Sequence, residues 1–149
     1  MVTPFFFSNS LHQPLISVSL KVLPAPECVG VLLINGLHPA DAQRAMSDAL
    51  GSPYEVTGAA HTLKGVDGHP VTMLRLEGFE DSVTYRASAL QKLLTEFGES
   101  SVEMNPERTT AGWRWVRDVA AFRAHAAVWR VAMKPSASVD LMECLDQMH

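Results

Sequence analysis

Arg108, Arg114, Arg117, Arg123, Arg130 and Lys134 fall in a stretch whose single acid is Asp118. The stretch before it, Glu77 to Glu107, is strongly acidic. A guanidinium grips a carboxylate through two parallel N–H···O bonds, so such a basic run is where an anionic ligand would be held. Two readings of the run stay open. Arg114 and Arg117 line a solvated helix face or pair with the upstream glutamates. Alternatively Arg130 and Lys134, on one expected strand and at its end, point toward an anion. His61 closes another expected strand beside a glycine-containing loop, where it is a surface histidine or a candidate base.

Most catalytic signatures are missing. The chain has no GxSxG elbow, P-loop, HExxH or CxxC pair, and no helix-opening GxGxxG of the dinucleotide-binding type. Histidines at 12, 38, 61, 69, 125 and 149 lack ligand-like spacing, so a metal site is not expected. Trp113, Trp115 and Trp129 alternate with arginines, a pattern that single-stranded nucleic acid binders use. Trp113 and Trp129 fit core positions better.

The whole chain bounds these readings. With 149 residues, 47% hydrophobic and 19% charged, it is long and apolar enough for one domain with its own core. A formal net charge of −4 argues against nucleic acid as the main partner. Cys28 and Cys144 lie far apart, which fits a reduced setting. No apolar run approaches the roughly 18–20 residues of a membrane span. The N-terminal MVTPFFFSNS lacks a basic start and turns polar after Phe7, so a signal peptide is not expected.

The elements that must position the candidate residues follow from spacing. Val71, Met73, Leu74 and Leu76 predict a strand over 70–77, and Gly78 breaks it. Phe79, Val83, Ala87, Leu90, Leu94 and Phe97 recur at helical spacing, with Glu80 and Asp81 in the first turn and Gly98 as the stop. Upstream, Leu15–Leu23 alternates as a strand that Pro24 and Pro26 end, and Val29–Ile34 reads as a central strand. Pro39 opens a helix with Ala42, Ala45, Met46, Ala49 and Leu50 on one face and Gly51 at its end. Tyr54–Ala60 is an expected strand, and Ser100–Met104 a short extra one. Pro106 and Glu107 open a helix through about Ala120. Ala126–Met133 alternates as the fourth strand, and Ser136 or Ser138 caps a final helix to Cys144 or Leu145. The order is that of an α+β ferredoxin-like sandwich, an antiparallel sheet with helices packed on one face.

Five segments, in order, resemble the C-terminal half of FAD-linked oxidase subunits, most closely the E subunit of bacterial glycolate oxidase. They are SLKVLPAPE (Ser19 to Glu27), LGSPYEVTGAAH (Leu50 to His61), LRLEGFEDSVTYR (Leu74 to Arg86), WRWVRDVAAF (Trp113 to Phe122) and VWRVAMKPSAS (Val128 to Ser138). Residues 1–14 match nothing in that family, which leaves an N-terminal arm and one cap-like domain over 15–149 whose two ends look truncated.

The resemblance implies a cap with a ferredoxin-like core that covers the flavin and shapes the pocket for a small 2-hydroxy acid such as glycolate. FAD itself would be bound by a separate Gly-rich domain, whose phosphate-binding motif this chain lacks. Other implied partners are a second flavin subunit and an iron–sulfur subunit. The implied location is cytoplasmic, reaching the inner membrane only through those subunits. No matched motif identifies a catalytic residue. Arg130, Lys134 and His61 are candidates for the substrate side on charge and position alone. The competing expectation is a stand-alone ferredoxin-like binding or interaction module, for which a broad apolar sheet face would speak. A non-functional remnant of a disrupted reading frame is the third.

Overall fold

A computed structural model of the protein describes residues 25–124 and 127–147. The expected strand Leu15–Leu23 and the arm over 1–14 lie outside the described residues. Four strands, β1 (Cys28–Asn35), β2 (Gly58–Thr62), β3 (Val71–Gly78) and β4 (Ser100–Glu103), form one sheet in the order β2-β3-β1-β4. Every pairing is antiparallel. Helix α1 (Pro39–Gly51) links β1 to β2, and α2 (Glu80–Leu93) links β3 to β4. This is the β-α-β-β-α-β ferredoxin-like arrangement.

Register explains which side chains meet. Leu32 stands opposite Leu74 on β3 and Val102 on β4, and Ile34 opposite Thr72. Successive strand residues point to opposite faces, so Leu32, Ile34, Leu74 and Leu76 share one face. There they meet Ala42, Ala45 and Ala49 of α1 and Val83, Ala87 and Leu90 of α2 in the buried core. The small α1 seam lets that helix approach the sheet closely. Each fully buried Leu, Ile or Val contributes roughly 1.5–3 kcal/mol.

Among the described residues, Arg86 is the buried charged one, 8% exposed. Its guanidinium donates to the Glu77 carbonyl at 2.6 Å, the Ser82 carbonyl at 3.3 Å and the Tyr54 carbonyl at 3.4 Å, and pairs with Glu55 at 3.5 Å. It ties α2 to the end of β3 and to the segment before β2. Gly78 makes room for it: its φ is +147°, and a Cβ there would lie 2.9 Å from an Arg86 nitrogen.

Several boundaries depart from expectation. β2 starts at Gly58 rather than Tyr54, because Glu55 adopts φ 48° and turns the chain before it can pair. α2 ends at Leu93, and Thr95–Phe97 continues as a single 3-10 turn before Gly98. Phe79 and Leu50, expected on apolar seams, are 73% and 54% exposed. Phe79 precedes the first helical residue, and Leu50 sits in the last turn of α1. α3 (Pro106–Arg117) stops three residues early and is followed by a 3-10 turn at Ala120–Phe122.

The largest correction concerns the fourth strand. The described residues of the expected strand Ala126–Met133, 127–133, carry no regular structure and are exposed. Its place beside β1 is taken by the short Ser100–Glu103, which a 3-10 turn and Gly98 join to α2. A 3-10 turn at Pro135–Ala137 leads into α4 (Ser138–Asp146), close to the expected final helix. Among the described residues no helix is long and apolar enough to cross a membrane.

Candidate functional site

The second sheet face is where the ligand-sized space lies. Val29, Val31, Leu33 and Asn35 of β1 point to it, opposite Glu77, Arg75, Met73 and Val71 of β3. α3 lies over this face. Asn105 starts the helix by accepting from the backbone N–H groups of Glu107 (3.0 Å) and Arg108 (3.1 Å). Trp113 then drops onto Gly58, where a Cβ would come within 2.5 Å of the indole ring. The Arg75 guanidinium sits 5.4 Å from the centre of that ring, within cation–π range.

Between α3, the sheet and the 65–69 loop is a cleft of about 570 Å³, a typical size for a small-molecule site. Val31, Leu33, Val71, Met73 and Trp113 give it apolar walls. Asn35, Asp67, His69, Glu103 and Arg108 supply polar groups around them. Glu103 and Arg108 pair at 3.3 Å. A hydrogen bond from the Asn105 backbone, with Arg108 adding, holds the Glu103 carboxyl below its ordinary range.

A smaller hollow of about 270 Å³ adjoins the cleft at Thr109 and Trp113 and is lined by Val29, Arg75, Arg114 and Arg117. Two of its three arginines are engaged. Arg75 pairs with Glu77, and Arg117 donates to Asp118 at 2.7 Å. That bond, with Arg123 and Arg114 nearby, pulls the Asp118 carboxyl below its usual range. Arg114 makes no hydrogen bond or ion pair among the described residues. The Arg75 Nε is buried and has no hydrogen-bond partner among them either.

The three residues singled out from sequence are not gathered here. Arg130 and Lys134 are exposed in the irregular stretch before α4, and neither lines the cleft or the hollow. His61 lies on the core face: its Nδ1 is 3.0 Å from the buried Thr72 hydroxyl. Burial, with His38 adding, lowers its pKa, and Nε2 has no partner among the described residues. Sequence reasoning did not single out Arg75. Its signal was the two-residue period of β3, which puts Val71, Met73, Arg75 and Glu77 on one face. Compared with models of known protein families and with curated proteins, the chain matches none.

Proposed function

We propose that this chain is the substrate-side cap domain of an FAD-dependent 2-hydroxy-acid oxidase or dehydrogenase of the glycolate oxidase type. The observation that carries the reading is the stretch 127–134. It keeps the alternation of a strand, yet Trp129 is 89% exposed, Val131 61% and Val128 54%. Exposed apolar groups at this density mark a surface that another body covers. The ordered resemblance to FAD-linked oxidase subunits names that body: a flavin domain.

The described residues do not fit the whole FAD molecule. A pyrophosphate needs free backbone N–H groups at a helix start without negative charge nearby. α1 begins with Pro39 and carries Asp41, and α2 carries Glu80 and Asp81. α3 spends its free N–H groups on Asn105, and α4 has Asp140 in its first turn. The flavin would therefore be held by the partner domain. This chain's part is to close over a small 2-hydroxy acid, exclude water and offer guanidinium groups to its carboxylate. Arg130 and Lys134 border the surface proposed for docking. The chain would work in the cytoplasm, with a second flavin subunit and an iron–sulfur subunit as the further partners.

Co-expression with the FAD-binding portion of a glycolate oxidase-type E subunit tests this. The expected result is a co-purifying, FAD-loaded complex that reduces a redox dye when given a 2-hydroxy acid. Two proteins that elute separately, with no dye reduction, would contradict it. The stand-alone binding module remains a second reading because the cleft is walled by this chain's own residues. It predicts ligand binding without any such complex.

A further inference from the structure

The cleft and the arginine-lined hollow run in line along the second sheet face. The Asn35–Val71 end of the β1–β3 pair opens toward the 65–69 loop, and the Val29–Glu77 end lies beneath the arginines. We infer that together they form one binding site for an apolar monocarboxylate, its chain in the cleft and its carboxylate against Arg114 beside Trp113. The inference goes beyond the cap reading, since every group that builds the site belongs to this chain and binding does not wait for a flavin domain.

Charge sets the head group. Arg75 pairs with Glu77, and Asp118 pairs with both Arg117 and Arg123, which leaves Arg114 as the arginine of the hollow without an ion pair of its own among the described residues. A guanidinium without an ion-pair partner can hold a carboxylate through two parallel N–H···O bonds. Asp67, at the loop end of the cleft, fixes the direction by repelling a carboxylate placed there.

Shape sets the tail. Val31 and Met73 on the floor are 5% and 6% exposed, so the walls are firm and apolar. Gly112 keeps the volume open. It lines the cleft from the middle of α3, and a Cβ built on it would meet nothing within 4 Å. Packing therefore does not demand glycine there, although glycine weakens a helix interior. A large side chain at 112 would enter the space that the ligand's chain needs.

The test is calorimetric titration of the full chain with octanoate, octanol and acetate, read in parallel through the indole N–H signal of Trp113. Octanoate is expected to bind saturably and shift that signal, with octanol and acetate each at least about tenfold weaker. Arg114→Gln should weaken octanoate about tenfold and leave octanol unchanged. Gly112→Leu should abolish octanoate binding while the circular dichroism of the helices is kept. Lack of saturable octanoate binding, octanol binding as tightly as octanoate, or an Arg114→Gln variant indistinguishable from the parent would overturn the inference. The Arg114 side chain makes no hydrogen bond or ion pair among the described residues, so its variant decides the matter even if Gly112→Leu folds poorly.

Discussion

Arg86 and His61 are polar residues set into the core side of this fold, and each makes a prediction about stability. Arg86 satisfies backbone carbonyls from three segments at once. Replacing it with Met removes the side-chain donor to the half-buried Tyr54 and Glu77 carbonyls, each a penalty of about 1–3 kcal/mol. Arg86→Met should therefore destabilise the chain by at least about 2 kcal/mol in urea unfolding, with an unchanged denaturant slope. His61 makes a pH prediction. Its folded pKa lies below the unfolded value, so the unfolded chain binds the extra proton between the two. Stability should fall as pH drops below about 6.5 and level off under the folded pKa. His61→Gln should flatten that slope in thermal melts between pH 5 and 8, whereas an unchanged slope would assign it to other groups. Both residues stood within segments that the sequence marked as important, Arg86 at the end of LRLEGFEDSVTYR and His61 at the end of LGSPYEVTGAAH. Sequence could not tell which sheet face His61 joins, because that depends on strand register, and it proves to lie across the sheet from the cleft.

At the scale of elements, strong periodicity was readable and weak edges were not. α1, β3 and α2 were legible because Ala42, Ala45 and Ala49, and then Val83, Leu90 and Leu94, repeat on one helix face. The fourth strand was misplaced for a physical reason. SSVE needs only Val102 to face the core, so it carries little apolar signal, whereas VWRVAM has a full alternation that no strand answers among the described residues. Pairing along β1 therefore decided the matter over side-chain pattern. Two variants probe the elements directly. Gly112→Ala should stabilise α3 by about 1 kcal/mol, since open space surrounds the new methyl group. Asn105→Ala should cost about 1 kcal/mol by removing the acceptor for two helix-start N–H groups. Thermal melts of the single variants check both, and shifts of opposite sign are expected.

For the whole molecule, the layout puts the core and the cleft on opposite faces of the sheet. The core lies between the sheet and the helices α1 and α2, and the cleft lies on the opposite face under α3. The basic run seen in the sequence divides the same way: Arg114 and Arg117 join Arg75 at the hollow, while Arg130 and Lys134 stay with the exposed apolar stretch 127–134. Trp129→Ser should thus leave the stability of the isolated chain within about 0.5 kcal/mol, yet weaken association with a flavin domain. The most direct measurement of the cap reading is hydrogen–deuterium exchange of the full chain, with and without an FAD-loaded flavin domain of the glycolate oxidase E type. The account predicts slowed exchange confined to 127–134 and the adjoining surface, with the core strands unchanged. Equal exchange of that stretch in both samples, at concentrations where the flavin domain is in excess, would contradict it.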